Sequence, residues 1–492
     1  MCIILENAMW GVMMKSIWER ETTIPKRRPL EQDISVDVAV IGAGMAGILT
    51  AYFLQEAGLS VAVLEAKRVG SGQTRHTTAK ITAQHGLIYG KLLEKFGKES
   101  AQQYAQANTR AIDEFWRIIK ENNIDCQMEK ISAYLYSTMD NEPLKQEMEA
   151  ARIAGIEAEM ADETGLPFAI KGALQFPRQA QFQPLDFLSA ISSKLTVYEQ
   201  TMANGIEDSR ILTDGGTVSA KDIVIATHYP FLNTPGYYFM RMHQERSYVL
   251  ALENTPELDG MYYSIDPGGF SMRNAQDLLL LGGGNHRTGE NPTGGRYDTL
   301  RSAAEQLFPG SREVTRWSAQ DCVTLDAIPY IGQYSESTPH LYVATGFHKW
   351  GMTSSMVSAM ILSGMITKRE TEFAPVFDPH RFVFSASAKT LMEEGAHAVK
   401  GLSRQVFSIP DGEIKSLPPG HGGIVETDGG KAGVYKDEDG EVHIVSAKCP
   451  HLGCELSWNP DEKSWDCPCH GSRFDYHGRL IDNPAMEGIG NA

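Results

Sequence analysis

The chain has 492 residues and a formal charge of −17. That length suggests roughly two to four domains with large cores, and the acidic balance argues against nucleic-acid binding and against docking on an anionic membrane surface. No apolar run of about eighteen residues exists, so no transmembrane segment is expected. Seven cysteines are too few for a disulfide scaffold of this length, which makes a cytoplasmic protein the default.

Residues 1–33 are expected to be an N-terminal extension, with order beginning near Ser16. The first stretch contains Glu6 and lacks both a basic leader and a cleavage signal, so it does not read as a signal peptide. Arg27-Arg28 is followed by Pro29-Leu30-Glu31-Gln32-Asp33 instead of an apolar core, which argues against a twin-arginine export signal.

Asp37-Val38-Ala39-Val40-Ile41 is a short apolar run of strand type. Gly42-Ala43-Gly44-Met45-Ala46-Gly47 follows, then a helix from Ile48 to Ala57 closed by Gly58, then a second strand from Ser60 to Leu64 ending in Glu65 and Ala66. This is a βαβ unit carrying G-x-G-x-x-G. Gly42 allows the tight turn, Gly44 lets backbone approach a pyrophosphate, and Gly47 lets helix pack on strand. The helix N-terminus offers N–H groups and a positive dipole end to phosphate, and Glu65 is placed for ribose hydroxyls.

Arg68-Val69-Gly70-Ser71-Gly72-Gln73-Thr74 follows directly. This stretch resembles the flavoprotein family of D-amino-acid oxidase, glycine oxidase and the sarcosine and dimethylglycine dehydrogenases. The resemblance implies FAD as cofactor, with Ser71, Gly72 and Thr74 along its pyrophosphate and ribityl chain. His76 stands where dimethylglycine-type dehydrogenases bind FAD covalently, but Arg75 replaces their tryptophan, so a non-covalent histidine near the flavin is expected. Lys80 and His85 nearby read as solvated residues.

Residues from about Leu87 to Asn123 are predicted helical, with Leu92, Phe96, Ile112, Phe115 and Ile119 as its core face. Ile131–Ser137 and Thr217–Ile225 read as strands, the latter ending in Ala226-Thr227-His228. The family has Ala-Thr-Gly there, which places Thr227 beside the FAD and makes His228 a departure. Met261–Ser264 and Phe270–Arg273 read as paired strands around Pro267-Gly268-Gly269, with Leu278–Gly283 as another. In the family this region forms a sheet over the flavin, from which an arginine grips a substrate carboxylate. Arg273 is the leading candidate, with Arg241 and Arg246 behind it.

Trp317–Asp321 and Asp326–Gly332 resemble segments preceding the family's last FAD strand, here Leu341–Thr345. Gly346-Phe347-His348-Lys349-Trp350-Gly351-Met352-Thr353 then opens a helix running to Met365. Its N-terminus would face the flavin ring and stabilise negative charge there. Gly346, Gly351, Met352 and Thr353 are expected flavin contacts, and His348 and Lys349 candidate catalytic residues.

Residues 379–404 read as a linker, with a helix near Lys389–Lys400. Turn signals at Asp411-Gly412, Pro418-Pro419-Gly420, Asp428-Gly429-Gly430 and Asp439-Gly440 then separate short β-type runs. Two boxes follow: Cys449-Pro450-His451-Leu452-Gly453-Cys454 and Cys467-Pro468-Cys469-His470-Gly471-Ser472. Two thiolates and two imidazoles suit a Rieske [2Fe–2S] cluster. A structural zinc is the alternative, but the boxes hold more ligands than one tetrahedral ion needs. Both boxes resemble the Rieske family. The resemblance assigns Cys449 and Cys467 to one iron, His451 and His470 to the other, and Cys454 and Cys469 to a disulfide clamping the loops. It also gives Ser472 a hydrogen bond to a cluster sulfide. Phe474 replaces the tyrosine of high-potential members, which lowers the expected potential. Asn483-Pro484 is expected to cap the cluster.

The expected architecture is an α/β Rossmann-like FAD-binding domain with an α+β substrate domain (34–378), plus a small all-β Rieske domain (405–492). The resemblance implies an FAD-dependent dehydrogenase of an amino acid or secondary amine, passing electrons through the cluster to an external acceptor, a quinone or redox protein. One alternative is a reductase or monooxygenase-type electron-transfer protein with reversed flow, electrons entering at the cluster or from NAD(P)H, although the second G-x-G-x-x-G that NAD(P)H would call for is absent. A redox sensor without its own substrate is the remaining alternative.

Overall fold

The apolar run around Val38–Ile41 is buried on both faces, and it forms the centre of the first sheet. A continuous apolar strand of this kind belongs in a parallel sheet covered by helices. In the computed structural model, Ile34–Ile41 pairs parallel with Val61–Leu64 on one side and Gly216–Ile225 on the other. Leu341–Thr345 adds parallel to Gly216–Ile225, and Tyr330–Gln333 closes that edge antiparallel. The structure describes residues 15–369, 371–381, 417–427 and 430–490. Most of the expected linker, its helix and the Asp411-Gly412 turn lie outside the described residues, as do Asp428 and Gly429.

Two helices cover one face of this sheet. Met45–Glu56 packs on Gly351–Ile366, and each is buried almost all round. A helix that is apolar on every side is a core helix, which is why neither shows a strong amphipathic stripe. The long helix Ile88–Asn122 does show one, and it kinks at Gly97, whose φ of +83° interrupts it.

A nine-stranded mixed sheet forms the second layer. Its spine is Arg312–Thr324, Met242–Glu253, Leu278–Arg287, Ser271–Ala275, Gly260–Ser264, Glu129–Ser137 and Gly172–Gln181. The expected hairpin is present, with Tyr262 opposite Met272. Residues 15–33, expected as an extension, pack into the body. Ser16 caps the short helix Ile17–Glu21, Trp18 is buried, and its indole donates to Thr77 O at 2.8 Å.

The C-terminal unit is all β: a three-stranded antiparallel sheet (Gly422–Thr427, Gly430–Lys436, Val442–Ser446) and a four-stranded one (Ser457–Asn459, Ser464–Asp466, Arg473–Asp475, Leu480–Asp482). Trp458, Trp465 and Phe474 fill its core. Among the described residues no helix is long and apolar enough to cross a membrane.

Candidate functional site

A cavity of about 670 Å³ opens where the two large sheets meet. Gly42, Gly44, Met45, Ala46, Glu65, Ala66, Ser71, Gly72, Thr74, His76 and Thr227 all line it. The turn is tight: Gly42 has φ +107°, and a Cβ there would stand 2.5 Å from Ala226 O. Gly47 does not line the cavity. A Cβ on it would lie 1.9 Å from Gly42 O, so its role is to let the helix sit against the turn. Glu65 accepts the N–H groups of Ala43 and Lys67, each at 2.8 Å. Burial raises its pKa, and those two N–H groups oppose the rise. Thr74 Oγ1 accepts the Met45 N–H at 3.0 Å and ties the Gly/Ser loop to the helix N-terminus. Burial, helped by Arg75, pulls His76 down to about 3 and keeps its ring neutral.

His348, Lys349, Gly351 and Met352 also line the cavity, with Tyr263, Asp321 and Trp350. Burial holds His348 neutral, at about 4, and its Nε2 accepts the Thr324 N–H at 3.2 Å. Lys349 Nζ stands 3.3 Å from Glu245 and 3.9 Å from Asp321. Thr353 sits behind the wall, where Oγ1 donates to Thr82 O at 3.1 Å. Gly346 is also behind it, with φ +73° and room for no Cβ against Thr324.

Arg273 is a correction. Its guanidinium does not line the cavity but donates to three backbone carbonyls: Asn274 O at 2.7 Å, Thr78 O at 2.9 Å and Ala79 O at 2.8 Å. It is a strut under the loop after His76, with Nε and Nη1 committed to backbone, and it does not border the cavity where a substrate carboxylate would lie. Arg241 is likewise engaged, with Pro379 O at 2.6 Å and Gly236 O at 3.0 Å.

In the C-terminal unit the two Cys/His boxes form facing loops. Cys449 and Cys467 are buried free thiols with their sulfurs in contact. The rings of His451 and His470 stand 4.9 Å apart and nearly perpendicular. Cys454 and Cys469 form a disulfide between the loops, with Cα atoms 6.6 Å apart. His451 Nδ1 is buried without a hydrogen-bond partner, whereas Nε2 donates to Asn233 Oδ1 at 2.8 Å. A buried nitrogen with no hydrogen-bond partner, beside two free thiols, has the chemistry of a metal ligand, since burial without a partner is costly. The donor set fits a [2Fe–2S] cluster, with Nδ1 of His451 as the ligand atom. Ser472 Oγ lies by Cys449 and accepts the Ala485 N–H at 2.9 Å.

Residues 37–365 match the DAO family, FAD-dependent oxidoreductases, and residues 408–491 match the Rieske [2Fe-2S] domain. The chain belongs to the DAO family. Its C-terminal unit is a Rieske domain. YhfW of Bacillus subtilis (strain 168), described as a Rieske 2Fe-2S iron-sulfur protein, is 38% identical over 490 residues, covering 96% of each chain. Glycine oxidase from Geobacillus kaustophilus has a similar fold, with a TM-score of 0.60 at 20% identity over 71% of this chain and 99% of its own. L-proline dehydrogenase from P. horikoshii scores 0.59 at 18% identity, over 72% of this chain and 98% of its own.

The DAO cavity fits FAD on its own geometry: a glycine turn with no room for side chains, a helix N-terminus on the cavity and an acid at the end of the second strand. Replacing Gly47 by alanine is expected to push the helix off the turn. Flavin content of the purified variant should fall several-fold or more, read from absorbance after denaturation.

The Rieske domain is seated on the mixed sheet of the DAO domain. Side chains alternate along a strand, and here the two faces serve different cofactors. On Met242–Glu253, Gln244 and Arg246 face the Rieske domain, while Ser247 and Val249 line the flavin cavity. On Arg312–Thr324, Ser318 and Gln320 face the Rieske domain, while Ala319 and Asp321 line the cavity. Gln244 donates to His470 O at 2.8 Å, and Gln320 to Gly471 O at 2.8 Å. Phe239 sets its ring edge-on to His470, with centroids 5.8 Å apart. The Asn483-Pro484 segment does more than adjoin the cluster. Asn483 donates to Thr227 O at 3.1 Å and Tyr229 O at 2.7 Å, and residues 480–483 and 485–488 line the flavin cavity.

Sequence reasoning did not single out Asp321, Tyr263 or the 480–488 wall. Asp321 falls within a segment noted for its family likeness, and its alternation with Gln320 was the available signal. Lys80, read as solvated, lines the cavity and is buried enough to bring its pKa down to about 7, with Arg273 adding to the effect. His228 has φ +67°, a backbone conformation that favours glycine.

Proposed function

We propose that this protein is a dehydrogenase of an amino acid or secondary amine that passes electrons from FAD to the Rieske cluster and on to an external acceptor, a quinone or a redox protein, in the cytoplasm. The observation that carries this reading is the shared wall: residues 480–483 and 485–488 border the flavin cavity, and Ala485 in the same segment is bonded to Ser472 beside Cys449. FAD when bound supplies a two-electron hydride acceptor, and the cluster a one-electron carrier.

The chain's own residues position and insulate these centres. The N-terminus of Gly351–Ile366 borders the cavity and favours negative charge there. His76 and His348, held neutral by burial, can hydrogen-bond without adding charge. Gln244, Gln320 and Asn483 hold the second cluster loop and the segment after it against the DAO domain. The names of the fold neighbours, glycine oxidase and L-proline dehydrogenase, support an amine or amino acid as substrate class.

Anaerobic mixing with a panel of amino acids and N-methylated amines tests the reading. One substrate should bleach the flavin and raise the reduced-cluster EPR signal in step. If no panel member reduces either centre, amine oxidation loses its support; if the flavin bleaches and the cluster stays oxidised, the relay does.

A further inference from the structure

Asp321 and Glu245 are direct cross-strand partners on Arg312–Thr324 and Met242–Glu253. Two carboxylates opposite each other on one face of a sheet repel and normally destabilise it. Lys349 reaches between them, 3.3 Å from Glu245 and 3.9 Å from Asp321. His243 Nε2 also stands 3.7 Å from Glu245, so Glu245 is shared by two partners, whereas the ion-pair partner of Asp321 is Lys349, at the longer distance. The Asp321 side chain keeps 17% of its surface accessible, and that surface faces the flavin cavity.

Most cationic side chains in the cavity lining are already engaged: Lys67 donates to Ile481 O at 2.9 Å, Lys349 stands between the two carboxylates, and burial brings the Lys80 pKa down to about 7. Arg75 is the arginine in its lining, and it is paired with Glu19 at 2.8 Å. Arg246 is taken by Glu462, and Arg273 by backbone carbonyls.

We propose that Asp321 binds the ammonium group of the substrate and takes its proton, so that the site selects cationic amines by charge and does not require a substrate carboxylate. The proposal rests on the amine-dehydrogenase reading above and names the recognition element within it. In the proton step the N–H bond breaks, an O–H bond forms on an Asp321 oxygen, and no electrons are exchanged. FAD, which the Gly42–Gly47 turn and Glu65 would hold, would supply the two-electron acceptor for the α hydrogen as hydride, and the freed nitrogen lone pair would become the π bond of an iminium product. The oxidant is the FAD of that reading.

The surroundings of Asp321 agree with a proton acceptor. Burial pushes its pKa up to about 6, Lys349 opposes the rise, Glu245 adds to it, Arg246 opposes it, and the Ser247 hydroxyl bonds the carboxylate. Tyr263, whose own pKa is raised by burial, also faces the group. His348, next to Lys349, stays neutral. The active form is the carboxylate, so kcat/KM should rise with pH through about 6 and drop roughly tenfold per pH unit below it.

The test uses the FAD-loaded full chain. Tetramethylammonium, which cannot be oxidised by loss of an N–H proton, is titrated against the flavin spectrum, with acetate in parallel. Wild type should respond to tetramethylammonium, and Asp321→Asn should need at least roughly tenfold more, with acetate weak in both. With an oxidised amine in hand, Asp321→Asn should lower kcat/KM about 100-fold and lose the acidic limb. Lys349→Met, which leaves the carboxylates facing each other, should move that limb to higher pH. A wild-type spectrum that responds to acetate and ignores tetramethylammonium would overturn the proposal, as would an unchanged limb in Asp321→Asn. If no amine in the panel is oxidised, the function reading fails while the cation titration still decides the binding site.

Discussion

With Cys449 changed to serine, the protein should retain its flavin spectrum and lose the [2Fe–2S] EPR signal entirely. Cys449 is one of two buried thiols at the metal centre, and serine is a poor ligand for iron that thiolate holds. The loops themselves should survive, because the Cys454–Cys469 disulfide and the Trp458, Trp465 and Phe474 core do not depend on the iron. The wall of the flavin cavity therefore stays in place. Substrate should still bleach the flavin in a single anaerobic turnover, and steady-state turnover with an external one-electron acceptor should collapse. Full turnover in this variant would sink the relay.

Removing Glu462 should cost the protein more stability than any surface change. Its carboxylate, 4% exposed, accepts from Arg246 Nη2 of the DAO domain at 2.7 Å and stands 3.0 Å from Arg473 of the Rieske domain. Ser318 bonds it as well. Arg473 also meets Asp466 at 3.0 Å and Asp482 at 3.1 Å. Glu462→Ala leaves two buried arginines without the charge between them, a loss of about 3–5 kcal/mol for a broken buried pair. Urea denaturation followed by flavin fluorescence should show the midpoint fall. Loosened domain docking should also slow cluster reduction by the flavin.

Acid should reproduce part of that loss. Burial alone would raise the Glu462 pKa, but Arg246 and Arg473 hold it down to about 2. A depressed carboxyl stabilises the fold above its unfolded value and loses that contribution as pH falls toward the folded one. Asp482, half-buried beside Arg473 and Arg246, is also held at about 2 against the upward pull of desolvation. The interface should therefore weaken from about pH 4.5 downward, and Glu462→Gln should flatten that part of the stability profile.

Both cofactor motifs were legible because each is local. Gly42, Gly44 and Gly47 sit on one turn, and Glu65 ends the next strand of the same βαβ unit. The Cys/His boxes hold their ligands on two short loops, so their resemblance to the Rieske boxes was enough to assign the donor set. The strands and helices of the DAO domain were legible too, since a buried parallel strand and an amphipathic helix carry their periods in the chain.

Arg273 shows the limit. An arginine on a strand over a cofactor reads equally as a substrate grip or as a backbone strut, and only the loop at Thr78 and Ala79 distinguishes the two. Residues 15–33 show it as well: their apolar side chains are few, and burial of Trp18 depends on a loop far away in sequence.

By itself, the sequence determined that this chain carries a DAO-type FAD domain and a Rieske domain, because turn geometry and ligand spacing are short-range properties. Tertiary structure alone decided how the two are joined. The register of Met242–Glu253 against Arg312–Thr324 puts Gln244, Arg246, Ser318 and Gln320 toward the cluster and Asp321 toward the flavin. A slip of one residue would exchange those faces. That register is set by pairing between distant segments and by the buried charges around Glu462, neither of which leaves a pattern in any one stretch of chain.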